Sequence, residues 1–316
     1  VYTWAKPTEE PAPEAAMDGA DAVVNLLGEP VAQRWTTESK AAIRSSRVAG
    51  THNLVAGLLA VAPERRPTVL VSQSATGYYG PRDDQPVTED SSAGTDFLAE
   101  VVVAWEREAL HAATTEGATV EGGATVEGGA TVEGGATVEG GATVEGGATV
   151  EGGATVEGAT VEGATPEGAT GLRVVTTRTG VVLSPSGGAL AKMLPFFRLG
   201  IGGPVAGGRQ YVPWIHLDDV VGAMLFCLDN PQASGPVNLT APNPATNAEL
   251  SRTLGRVLKR PALLPVPALA LQVLYGDMAE IVTTGQRALP ARLEQLGYAF
   301  RYSELEAALR DVLGRD

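Results

Sequence analysis

The chain has 316 residues, 44% of them hydrophobic and 19% charged, which fits one large or two modest globular domains. Its formal charge of −14 comes largely from one tract: residues 116–167 hold ten Glu and no Lys, Arg or Asp, and setting these aside leaves −4. The lack of clustered cations argues against a nucleic-acid surface, no run nears the ~20 consecutive apolar residues of a membrane span, and a lone cysteine, Cys227, excludes an internal disulfide and points to a reducing cytoplasm.

Residues 1–4 are expected to form a short strand, followed by a Pro/Glu linker over 5–14. The start lacks the basic and apolar regions of a signal peptide, and it is not Met, which suggests a fragment, a mis-called start or a processed end. Asp21-Ala-Val-Val-Asn-Leu-Leu-Gly28 reads as a buried parallel strand with a ligand-facing end, or equally as a plain strand stop. Thr37 to Ala62 has a helical apolar face of Ile43, Val48, Leu54, Val55 and Leu58. Within it, Gly50 is expected to let the helix approach the sheet. A second strand, from Pro67, runs into Ser72-Gln-Ser74-Ala-Thr-Gly-Tyr78-Tyr79-Gly80. Hydroxyls at a strand's carboxyl end suit a substrate carbonyl or alcohol; the alternative is a polar turn capping the strand. Asp96 to Ala113 is helical, with Asp96 as N-cap.

Six tandem copies of Gly-Gly-Ala-Thr-Val-Glu then fill Gly122–Glu157, flanked by five-residue copies. Each unit matches a β-helix hexad, yet the tract supplies fewer than the coils such a helix needs, and the five-residue units break its register. One Val per unit buries too little to offset ordering entropy, so composition favours a disordered linker over a stacked β structure. The insertion falls between a helix and the strand from Gly171, away from the carboxyl ends where ligands bind in such sheets.

That strand ends in Arg178-Thr-Gly-Val-Val-Leu. A helix over 188–200, a helix over 217–228 with Asp218 and Asp219 in its first turn, a strand over 237–240, and a helix over 247–260 capped by Thr246 or Asn247 follow. From Pro261, two or three more helices are broken by Pro265, Pro267 and Pro290. The alternation predicts an α/β fold, a parallel sheet flanked by helices, with a smaller, mostly helical C-terminal part. The expected division is 1–115 with 171–245 as one domain, 116–170 as the insertion, and 246–316 as a substrate-side domain.

Taken in order, Asn25-Leu-Leu-Gly28-Glu-Pro, Ser46-Arg-Val-Ala-Gly50-Thr51, Ser74-Ala-Thr-Gly-Tyr-Tyr-Gly80, Asp96-Phe-Leu with Trp105-Glu, Arg178-Thr-Gly-Val-Val-Leu and Trp214-Ile-His216-Leu-Asp-Asp219 resemble the epimerase family of atypical short-chain dehydrogenases/reductases. Gly285-Gln-Arg-Ala-Leu-Pro-Ala-Arg-Leu and Leu296-Gly-Tyr-Ala-Phe-Arg-Tyr resemble that family's small C-terminal domain of unknown function. The resemblance implies a Rossmann-like fold and an NAD(P)-dependent epimerase or oxidoreductase acting on a small polar substrate. It matches Ser74 to the related enzymes' active-site Ser/Thr and sets Asn25, Gly28, Ser72 and Arg178 against the cofactor, with Tyr78, Tyr79 or Glu89 as candidates for the acid/base near the reacting carbon. Glu89, Arg209 and His216 are the substrate-side candidates, Arg209 as a clamp for an anionic group or else simply solvated, and His216 as a catalytic or equally a structural, hydrogen-bonded residue; no metal is implied. Two departures stand out. Phe97 and Val101 occupy the places of the related enzymes' Tyr and Lys, and neither can move a proton. No Gly-x-x-Gly-x-x-Gly turn precedes Asp21. About fifty residues carrying two strands are therefore expected to be missing, with NADP the expected cofactor of a full-length protein and weak or no binding by this chain. The rival expectations are a non-catalytic nucleotide-binding or redox-sensing protein, and an inactive fragment.

Overall fold

The structure is a computed structural model that describes residues 1–113, 131–132, 149–150 and 171–315. The chain divides into two compact units, one of Val1–Ala109 with Arg173–Asp316 and one of Leu110–Leu172. In the second, Thr131–Val132 pairs in parallel with Thr149–Val150. The expectation of disorder over 116–170 otherwise lies outside the described residues.

The first unit is built on four parallel strands: β1 (Ala22–Asn25), β2 (Val69–Ala75), β3 (Arg173–Thr179) and β4 (Gly235–Leu239), lying in that order across the sheet. β2 and β3 are buried almost continuously, with no in–out alternation, as expected of central strands covered on both faces. β1 is an edge strand with Val24 exposed. Residues 1–4 are not a strand, which corrects the expectation for that segment. The chain turns back on itself there: Glu9 and Glu10 both donate from their backbone N–H to the Lys6 carbonyl, and the Trp4 indole donates to the Glu10 carbonyl.

Helix α1 (Thr37–Ala60) starts with a reciprocal cap in which Thr36 and Ser39 each bond the other's backbone N–H. Its close approach is at Gly57, where a Cβ would stand 2.2 Å from the Ala12 carbonyl oxygen. At Gly50 a Cβ would meet only Leu27, at an ordinary 3.5 Å. Helix α2 (Phe97–Leu110) is capped by Asp96, whose Oδ1 accepts from the N–H groups of Leu98 and Ala99. Helices α3 (Gly188–Arg198), α4 (Leu217–Asp229) and α5 (Asn247–Leu258) follow, the last with Thr246 as its cap in a box with Glu249. Beyond Pro261 four short α-helices are described, more than the two or three expected, at Ala268–Tyr275, Ala279–Thr283, Ala291–Gln295 and Leu305–Val312.

Two apolar clusters hold this unit together. Val71, Val175, Val237 and Leu239 of the sheet pack with Ala223 and Cys227 along α4, with Ile215 just before it, and with Leu293. Leu190, Leu194 and Phe197 of α3 pack with Leu250, Leu254 and Val257 of α5, with Trp214, and with Ala308 and Leu309 from the last helix. Burial of such side chains contributes roughly 1.5–3 kcal/mol each. Together the clusters fix the strand ends that carry the polar residues described next.

Candidate functional site

Three neighbouring strands bring polar residues level at their carboxyl ends. Ser74 of β2 is the register partner of Arg178 of β3, and Arg178 is the partner of Asn238 of β4. Partners in a parallel ladder present their side chains on the same face. From α2, Glu106 meets them: its two carboxylate oxygens accept from Arg178 Nε and Nη2, each at 2.8 Å. Ser74 Oγ donates to the same carboxylate. The remaining guanidinium nitrogen, Nη1, donates to Tyr79 Oη and to the Glu89 backbone carbonyl, both at 3.1 Å. Tyr79 Oη in turn donates to Asn238 Oδ1 at 2.6 Å. Glu89 Oε1 closes the network by accepting the backbone N–H groups of Asn238 (2.8 Å) and Arg292 (3.2 Å).

The turn after β2 delivers the two tyrosines. Thr76–Tyr79 forms one tight helical turn that stops at Gly80, where φ is +62° and a Cβ would fall 2.7 Å from Asp96 Oδ2. Only glycine fits that conformation and that space. Tyr79 therefore points inward and is fully buried, whereas Tyr78 is half-buried. The Arg178 guanidinium lies 3.4 Å from the centre of the Tyr78 ring.

Burial dominates the electrostatics. It pushes the Tyr79 phenol up to about 12, against the opposing pull of Arg178. Burial would lower Arg178, but the bonds and charge of Glu106 outweigh it and hold the guanidinium above its ordinary range. Burial also raises the Glu89 carboxyl, although the backbone N–H groups it accepts work the other way.

The fold thus gathers Ser74, Tyr78, Tyr79, Glu89 and Arg178. Asn25 and Ser72 belong to a second buried network beside it. Asn25 Nδ2 donates to Ser72 Oγ (3.0 Å) and Thr51 Oγ1 (2.9 Å), and the Trp105 indole also donates to Thr51 (2.8 Å). Gly28 sits under Arg47, whose guanidinium would touch a Cβ there at 3.0 Å. His216 is elsewhere: its Nδ1 accepts the Asp218 N–H as the α4 cap, its Nε2 pairs with Asp311 at 3.1 Å, and Tyr302 stacks on the ring. His216, Asp218 and Asp311 approach within 4.8 Å of one another, but hydrogen bonds engage both ring nitrogens. Arg209 is exposed on the loop before Tyr211. Sequence reasoning missed Glu106 and Asn238. Glu106 left a signal, since it stands in the core-facing register of α2 with Val102 and Ala109. Phe97 packs edge-on against Trp35 at 5.1 Å, and Val101 is fully buried.

Beside β1 lies a groove of about 390 Å³ lined by Trp4, Val24, Asn25, Leu26, Leu27 and Leu54. Among the described residues its walls offer no cation, and the sequence holds no glycine turn of the kind that cradles a diphosphate. The residues lining this groove therefore supply no cradle for the diphosphate of a dinucleotide.

Residues 266–312 match a domain of unknown function (DUF1731). The chain is 37% identical over 297 residues to the epimerase family protein SDR39U1 homolog, chloroplastic, of Arabidopsis thaliana, covering 94% of this chain and 70% of that protein. It is 37% identical over 308 residues to the epimerase family protein Mb2239 of Mycobacterium bovis, covering 97% and 82%. Its fold is similar to the crystal structure of human epimerase family protein SDR39U1 (isoform 2) with NADPH. The TM-score is 0.74 at 28% identity, over 99% of this chain and 86% of the other.

Proposed function

The chain belongs to the epimerase family of atypical short-chain dehydrogenases/reductases with a C-terminal domain of unknown function, and on that premise we propose that it is a nicotinamide-dinucleotide protein, selective for NADP, that performs epimerase-type oxidoreduction on a small polar substrate. The observation that carries this reading is the buried Ser74–Glu106–Arg178–Tyr79 network at the carboxyl ends of β2 and β3, where open α/β sheets bind ligands. The NADPH in the human relative supports the choice of cofactor. A nicotinamide supplies hydride chemistry when bound.

This chain's own residues divide the remaining work. Tyr78, half-buried and lying on the guanidinium, is the group that exchanges a proton with substrate. Arg178 positions Tyr78, Glu106 holds Arg178, Ser74 holds Glu106, and Tyr79 with Asn238 anchors the turn. Glu89, its carboxyl raised by burial, is the second proton-holding group. Asn25 and Ser72 set the strand ends beneath the cofactor ring and Gly28 lets the loop pass Arg47. Arg209 and His216 contribute on the substrate side.

A second reading, a non-catalytic nucleotide-binding or redox-sensing protein, is favoured by Phe97 and Val101, which pack where proton-moving residues are needed. One experiment separates the two. NADPH and NADH are titrated against the folded chain by fluorescence, and carbonyl substrates are then screened for turnover. Binding with turnover that Tyr78→Phe lowers about 10²–10⁴-fold, at unchanged NADPH affinity, supports the oxidoreductase. Binding without turnover supports the second reading. A folded chain that binds neither nucleotide removes the cofactor from both.

A further inference from the structure

The acids of this chain are unevenly placed. Among its 37 Asp and Glu, none falls in residues 168–217 or 250–276. The fold lays parts of these two acid-free stretches side by side. Val205 bridges Val266 in parallel, Val266 N–H donates to the Pro204 carbonyl, and Arg260 Nε donates to the Arg198 carbonyl. Gly200, Gly202 and Gly203 turn toward the packed side: a Cβ would meet Pro261 at 3.3 Å, Phe197 at 2.5 Å and the Leu264 carbonyl oxygen at 2.2 Å. The alternate residues are left outward, so Leu199 is 74% exposed and Ile201 49%. From the adjoining stretch Leu263 is 80% exposed and Leu264 54%.

Cations frame these aliphatic side chains. Arg198, Lys259 and Arg260 are exposed, and among the described residues none of them pairs with a carboxylate, unlike Arg256, which pairs with Glu306. Exposed aliphatics ringed by cations in an otherwise acidic chain match the chemistry of an anionic bilayer surface. We infer that this face, formed by residues 196–201 and 259–264, docks the protein peripherally on anionic lipid. A second copy of the chain fits poorly, because a symmetric contact would press two copies of the same cation-framed face together, and these stretches hold no carboxylate to pair the cations. Nucleic acid fits poorly too, because the protruding groups are mostly aliphatic and not stacking rings. Among the described residues no helix is long and apolar enough to cross a membrane, so the contact lies on the surface of the bilayer.

The test is co-sedimentation of the whole chain with vesicles of phosphatidylcholine alone and of phosphatidylcholine with about a third phosphatidylglycerol. The expected result is pelleting with the anionic vesicles only, lost in about 1 M salt, where screening acts within about 3 Å. Arg198→Gln and Lys259→Gln should each weaken binding about fivefold. Leu263→Ser, a change at an exposed side chain that leaves the fold intact, should weaken it while leaving the salt dependence in place. The inference is overturned if the folded native chain stays in the supernatant with both vesicles, or if both pellet it equally and the cation variants change nothing. It is also overturned if sedimentation velocity shows a dimer that Leu263→Ser dissolves while vesicles bind nothing.

Discussion

Glu106 and Arg178 are 4–8% exposed at their side chains and paired side-on through Nε and Nη2, so neither can lose the other cheaply. Glu106→Ala leaves a buried cation without its counter-charge and should cost about 3–5 kcal/mol in urea unfolding. A cost under 1 kcal/mol would mean water reaches Arg178. Glu89 makes the pH prediction. Its carboxyl is raised in the folded chain by burial, so the folded state holds its proton at a pH where the unfolded chain has released it. Its contribution is therefore fully present below the ordinary carboxylate range and lost as pH rises through the raised folded value. The stability of Glu89→Gln relative to the native chain should accordingly increase between pH 4 and neutrality, read by chemical unfolding at each pH. A flat or falling difference would mean that the backbone N–H groups on Glu89 outweigh its burial. Sequence supplied the residue types here but not their partners. Ser74 and Arg178 stand out as a hydroxyl and a cation at strand ends, but their contact depends on a register between residues 104 positions apart.

Elements were more legible than contacts. Asp96 and Thr246 cap the helices that follow them, because a short polar side chain before an apolar periodic run satisfies orphan N–H groups wherever the helix packs. The close approach along α1 was not legible. Gly50 and Gly57 look alike in sequence, and only the crossing of the Ala12 backbone makes Gly57 the tight position. Gly57→Ala should therefore destabilise the chain by about 1–3 kcal/mol through overpacking against a backbone that cannot yield. Gly50→Ala should be neutral or stabilising by up to about 1 kcal/mol, from helix propensity. Thermal melts of the two variants check this ordering, and the reverse order would refute the packing described for α1. The expected strand at residues 1–4 failed for a related reason: a strand needs a partner ladder, and this segment instead bonds to its own following turn.

The repeat is the feature with most effect on composition. It carries ten of the 37 acids yet enters between the end of α2 and the start of β3. Removing residues 116–170 and closing with a short Gly/Ser link should leave the melting temperature within about 4 °C, because loop length adds only slowly to closure entropy. A loss of more than about 10 °C would show that the tract contributes to the core. The parallel α/β plan was readable from composition and pattern, since buried strands are continuous apolar runs and helices repeat every 3.6 residues, both properties of near neighbours. The family was readable for a similar reason, because its motifs are short and stand in order. Which polar residues share a site was decided only in three dimensions. His216 found Asp311, 95 residues on, while Glu106 joined Arg178, 72 residues on. Strand register and the desolvation of buried charge depend on the whole packed chain, and no local window of sequence contains them.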